Sequence, residues 1–210
     1  MAGVDEQTIT LIKNELDEIK GLLTENIVME RIRKEGSLLY LKFTVNATTY
    51  YITGKDDTNP KKTNSIVFYI DVPFGYPKSG PTVYYESGKI LASVNAFTSG
   101  RQCIDTWHYD EQSAANNSSL VGTVRKTVMD IIHDTVVTNY ESVANGSLVK
   151  WQREMTAKHE FPTCMLNTLF HSEAYNAEHS GPPSLPQKAG ACSRLAGMVS
   201  RPAMPPLPNR

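Results

Sequence analysis

The chain has 210 residues, with 21 Lys and Arg against 22 Asp and Glu and a formal net charge of -1. That length suits one domain of ordinary size plus an appendage, and the near-neutral balance gives no basic field for nucleic acid. No apolar run reaches the ~18 residues of a membrane span, and Asp5 and Glu6 precede an amphipathic pattern where a signal peptide has a basic start and an apolar block. The three cysteines, Cys103, Cys164 and Cys192, are odd in number and far apart. The expectation is a cytoplasmic protein with free thiols, no disulfide framework and no structural zinc.

In chain order, the first element is a helix. Ile9, Ile12, Leu16, Ile19 and Leu23 recur at 3-4 spacing and predict its buried face, with Glu15, Asp17, Glu18 and Lys20 off that stripe. Strand signals follow at 27–32, at 37–45 after the turn Glu35-Gly36, and at 48–53. The polar stretch 55–64, with Pro60, reads as a loop or hairpin tip. Residues 65–72 form the most β-prone run and end at Pro73, which cannot donate to a ladder. A short strand is predicted at 82–85. One helix followed by a meander of about four strands is an α+β arrangement.

Beyond the strands, Ser118 or Ser119 is placed to cap a helix whose stripe is Val121, Val124, Val128, Ile131 and Ile132. A weaker helix is predicted from Asn145 or Ser147 to Lys158, with Leu148, Trp151 and Met155 on one side. Seven of the 12 prolines then fall between Pro182 and Pro208. A segment so poor in large apolar residues cannot offset its chain entropy by burial. The division expected is a domain over 1–165 and a Pro/Gly-rich disordered tail over 166–210, ending in a Pro-x-x-Pro-x-Arg pattern at Pro205–Arg210.

The chemistry-bearing segment is Asn95-Ala96-Phe97-Thr98-Ser99-Gly100-Arg101-Gln102-Cys103-Ile104-Asp105. A carboxamide, a glycine, a thiol and a carboxylate in this order can serve acyl transfer. Cys103 supplies a nucleophilic thiolate. Asn95 supplies a donor toward the oxyanion of a tetrahedral intermediate, or braces the loop. Gly100 allows a tight turn, and Asp105 can orient or deprotonate an amine. The plain alternative makes Cys103 a small buried hydrophobe and Asn95 and Gly100 ordinary turn residues. A cysteine–histidine hydrolase with a distant histidine is a further reading. Cys164 and Cys192 have no neighbouring base or donor in sequence. His108, His133, His159, His171 and His179 show no metal-ligand spacing, so no metal or cofactor is expected. Trp107 and Trp151 read as packing anchors.

Upstream lies Pro73-Phe74-Gly75-Tyr76-Pro77. This Pro-x-x-Tyr-Pro element, followed by Asn95, Gly100, Cys103 and Asp105 at their spacings, resembles the core of ubiquitin-conjugating enzymes, over about residues 5 to 160. The resemblance implies a fold with an N-terminal helix, a four-stranded antiparallel meander, an active-site loop and C-terminal helices. It implies that Cys103 carries ubiquitin or a ubiquitin-like modifier as a thioester and passes it to an amine. It assigns Asn95 and Asp105 to the catalytic loop and Gly100, Tyr76 and Pro77 to its geometry. The partners it implies are the modifier, an activating enzyme, and an acceptor or ligase. Ser93 and Val94 stand where the family has His and Pro, Lys78 and Ser79 follow the Tyr-Pro pair, and the acidic gate residue has only Asp134 and Glu141 as candidates. With these departures the resemblance implies a divergent member, from a bacterial-type or a viral ubiquitin-like conjugation system. The alternative within the fold is a catalytically silent binding or scaffold module.

Overall fold

The computed structural model describes residues 5–54, 57–104, 106–109, 118–133, 139–161 and 168–171. Helix α1 (Glu6–Leu22) starts where the Asp5 side chain accepts from Thr8 N, a cap for one of the first orphan N–H groups. Its buried residues are Thr8, Ile12, Glu15, Ile19 and Leu22. The expected stripe is therefore corrected by one position. Ile9 is 41% exposed, Leu16 and Leu23 are half-buried, and Glu15 turns inward. The reason is polar: the Glu15 carboxylate accepts from the Tyr76 hydroxyl at 2.6 Å and from Leu120 N at 2.8 Å. Those bonds tie α1 to the turn before Pro77 and to the N-terminus of the helix that starts at Leu120.

Four antiparallel strands form the main sheet in the order β1 (Ile27–Ile32), β2 (Leu39–Val45), β5 (Ile66–Val72) and β6 (Thr82–Tyr85). Burial alternates strictly along β2 and β5, as a sheet with one face on the core requires. Phe43 and Phe68 sit opposite each other and stack at 4.8 Å, both fully buried. The segment expected as the third meander strand is β3 (Thr49–Ile52), and it leaves this sheet. It pairs instead with β4 (Lys61–Thr63), which lies in the stretch read as a loop or hairpin tip, and with β7 (Ile90–Leu91). Strand β5 takes the second edge of β2 from Leu39↔Val72 to Val45↔Ile66, so β3 has no edge there to join.

Helix α2 (Leu120–Ile131) is capped by Ser119, whose hydroxyl accepts from Gly122 N. A short 3₁₀ turn (Gly146–Leu148) leads into α3 (Val149–Lys158). The observed architecture is thus α+β, with an N-terminal helix, antiparallel sheets and C-terminal helices.

The domain boundary needs correction at four residues. Residues 168–171 lie within the expected tail, yet Leu169 and Phe170 are 0% and 1% exposed. Phe170 bridges Leu23, Thr24 N donates to Leu169 O, and His171 N donates to Leu22 O. Two apolar side chains next to the open end of α1 are enough to draw the backbone into a short antiparallel contact. The remainder of the expected tail lies outside the described residues.

Candidate functional site

The loop 95–103 is closed at its base by Cys103 N donating to Asn95 O at 2.7 Å, with Ala96 and Gln102 bridged next to it. At its tip Phe97 N donates to Arg101 O and Gly100 N to Phe97 O. Gly100 holds φ +87, a left-handed conformation that glycine adopts without steric cost. The loop is docked on β6, because Tyr85 N donates to Gly100 O and Gln102 N to Val83 O. Asn95, Gly100 and Cys103 are therefore joined in one compact turn, as their spacing suggested.

Cys103 itself differs from expectation. It is 8% exposed and disulfide-bonded. An accessible free thiol was expected. The sulfur partner lies outside the described residues. Acyl chemistry at this sulfur requires prior reduction, because only a thiolate is a nucleophile.

Beneath the loop lies a polar network whose centre is Asp130 of α2, 1% exposed. Its carboxylate accepts from Asn95 Nδ2 at 3.1 Å, from Gln102 Nε2 and from Lys126 Nζ at 2.9 Å. Gln102 Oε1 in turn accepts from the Tyr85 hydroxyl at 2.7 Å. Burial and then the Asp130 charge hold the Tyr85 hydroxyl well above its ordinary range, so it stays protonated and donates. Every member of this chain is paired, the condition under which a buried polar network rigidifies its surroundings.

The segment entering the loop after β7 is braced from several sides. Ser93 is 2% exposed, and its hydroxyl accepts from Asn95 N at 3.1 Å. Val94 N donates to Gln152 Oε1 of α3, and Val94 O accepts from Asn145 N. His133 packs nearby, stacked on Phe161 at 4.1 Å and edge-on to Tyr50 and Trp151. Burial lowers His133 to about 4, so its ring is neutral at physiological pH.

Tyr76 and Pro77 stand apart from the thiol loop. Their peptide bond is cis. Tyr76 is 3% exposed, and burial, with Glu15 beside it, raises its hydroxyl far above the ordinary range. Trp107 Nε1 donates to Pro77 O at 2.7 Å and its ring faces Tyr76, the packing anchor expected of it. The Tyr-Pro turn thus holds the segment that follows Cys103. Asp105 and Asp134 lie outside the described residues, and Glu141 is exposed.

Sequence reasoning missed Asp130, Gln102, Glu15, Ser93 and Gln152. Asp130 had a signal. It is an acid set between Val128 and Ile131 in a helix with few charges, and Lys126 lies four residues before it. That spacing reads as an ordinary surface pair until the helix is known to be buried almost all round.

Among the described residues no group of three or more His, Cys, Asp or Glu side chains is placed to hold a metal ion, and no helix is long and apolar enough to cross a membrane. No family model matches the chain, and no curated protein sequence matches it. Among solved structures the chain is similar to human Ubiquitin-conjugating enzyme E2 G1, at 18% identity, over 62% of this chain and 97% of that one, with a TM-score of 0.40. A likeness of that size carries no functional weight, so the reading that follows stands on the residues.

Proposed function

We propose that the chain carries ubiquitin or a ubiquitin-like modifier as a thioester on Cys103 and passes it to an amine. The observation that supports this most is the closed turn in which Asn95 and Cys103 meet through a backbone hydrogen bond, with Gly100 at its tip. In this reading the Cys103 thiolate attacks the modifier's activated C-terminal carbonyl, the new C–S bond forms, and the activating enzyme's thiol leaves. An acceptor amine then attacks the thioester carbon. The C–N bond forms, the Cys103 thiolate departs with the electron pair, and the amine proton passes to a base, a role assigned to Asp105. Asn95 lies in the turn that Cys103 N closes, where its second amide N–H can meet the developing oxyanion.

A second reading, a silent binding or scaffold module of the same fold, is favoured by one observation: Cys103 is buried and disulfide-bonded. One experiment separates the two. The protein is reduced with a phosphine, its Cys103 thiol is verified by alkylation, and it is incubated with a panel of ubiquitin-like proteins, each with an activating enzyme and ATP. A thiol-sensitive adduct that Cys103→Ala abolishes, and that Cys103→Ser converts to a thiol-resistant oxyester, supports the carrier. No adduct across the panel supports the silent module.

A further inference from the structure

We infer that Asp130 is a positioning residue for acyl transfer from Cys103, acting by setting the orientation of the Asn95 carboxamide. This rests on the thioester-carrier reading. A carboxylate only accepts hydrogen bonds, whereas a carboxamide has a donating and an accepting end. Asp130 therefore dictates that both carboxamides flanking the loop present their nitrogens to it, Asn95 through Nδ2 and Gln102 through Nε2. Without that anchor either amide could turn over and present its oxygen instead.

The consequence for Asn95 is specific. One N–H is committed to Asp130, which leaves the second N–H as the side chain's only remaining donor. The side chain's plane and direction are fixed at one end by a carboxylate that is itself immobile. Asp130 is 1% exposed, rides on a helix, and is held by Lys126 from the previous turn. The Gln102 arm does the same on the other side of the loop, and the Tyr85 hydroxyl locks the far end of that amide. A single carboxylate thus spans the mouth of the loop from the residue opposite the thiol to the residue before it. Lys126 offsets its charge, so the centre stays polar without an unpaired buried anion.

The test uses the full chain with Cys164→Ser and Cys192→Ser, so that Cys103 is the sole thiol. The thiol is reduced with a phosphine and acylated with the thiophenyl ester of N-acetyl-glycyl-glycine. In that step the C–S bond to Cys103 forms and thiophenolate leaves. Discharge to the side-chain amine of Nα-acetyl-lysine amide is then followed by mass spectrometry. Relative to the parent, Asp130→Asn is expected to slow aminolysis roughly 10- to 100-fold, the scale of a misplaced catalytic group, while acylation changes little. Thr127→Ala, a buried change on the same helix that leaves both amide bonds to Asp130 in place, is expected to lower thermal stability and leave aminolysis within about twofold. In an Asn95→Ala background Asp130→Asn is expected to have no further effect, because its influence passes through Asn95.

The outcomes separate cleanly. If the parent thioester reacts with the amine no faster than the same thioester on the unfolded protein, the carrier reading falls and this role with it. If the parent is accelerated but Asp130→Asn matches it, the positioning role alone is wrong. Equal slowing by Asp130→Asn and Thr127→Ala, or additive loss with Asn95→Ala, shows a merely structural carboxylate.

Discussion

Replacing Phe170 by alanine tests whether the segment past residue 166 belongs to the domain. The side chain is 1% exposed, and its backbone bridges Leu23 at the end of α1. A buried aromatic removes about 150–250 Å² from water, which at ~25 cal/mol per Å² is about 4–6 kcal/mol. Measured costs of Phe→Ala in cores run about 3–5 kcal/mol, so both routes agree on the scale. For a domain of this size 1 kcal/mol moves Tm by about 2–4 °C, so the expected drop is about 6–20 °C. Thermal and urea unfolding should be followed with reductant present, so that no disulfide enters the comparison. Truncation after Thr168 should cost more than the point substitution. It also removes Leu169 and the backbone bonds to Thr24 N and from His171 N. Truncation after His171 is expected to leave Tm at the parent value, on the composition of residues 172–210. A Phe170→Ala shift below about 2 °C, or equal stabilities for the chains ending at 168 and 171, would refute the reasoning.

Other expectations follow from single groups. His133 is lowered from 6.5 to about 4, so the unfolded chain binds more protons than the folded one between those values, and stability falls as pH drops through that window. The loss should be about 1–3 kcal/mol by urea titration, and His133→Asn, which tolerates the left-handed φ of +56, should flatten that part of the profile. Because Cys103 is disulfide-bonded, acylation by a small thioester should be absent without reductant and restored by a phosphine; equal yields in both conditions would contradict the bonded state. Gly100→Ala should cost about 1–2 kcal/mol through backbone strain alone. A Cβ at that position would lie 3.6 Å from Tyr85 O, so no clash adds to it. An unchanged Tm there would mean that the loop tip relaxes without effort.

Local periodicity made the main elements readable. Helix α2 and the strands β2 and β5 follow their apolar spacing closely, and Ser119 caps where a hydroxyl was expected. Asn95, Gly100 and Cys103 were legible because a tight loop makes short sequence separations into short distances. Contacts between distant segments were not legible. Glu15 looked like a surface acid because its partners, Tyr76 and Leu120 N, lie in segments that periodicity cannot connect. The departure of β3 depended on β5 occupying the edge of β2, a competition decided by tertiary pairing. Leu169 and Phe170 were assigned to the tail because two apolar residues in a polar stretch carry no period at all.

The segment that enters the loop, residues 92–95, is braced through its backbone. Ala92 N donates to Tyr50 O, Val94 N to Gln152 Oε1, and Asn95 N to the Ser93 hydroxyl, while Val94 O accepts from Asn145 N and Asn95 O from Cys103 N. These partners come from β3, from the turn before α3, from α3 and from the loop itself. The segment is thus held by several short bonds from separate elements, each worth about 0.5–1.5 kcal/mol. Losing any one leaves the others to hold the geometry. The function is therefore expected to be more sensitive to Asp130, which fixes both carboxamides at the mouth of the loop, than to any residue of the 92–94 segment. Comparing Asp130→Asn with Ser93→Ala and Gln152→Ala in the aminolysis assay checks that order. A Ser93 or Gln152 substitution that slows discharge as much as Asp130→Asn would reverse it.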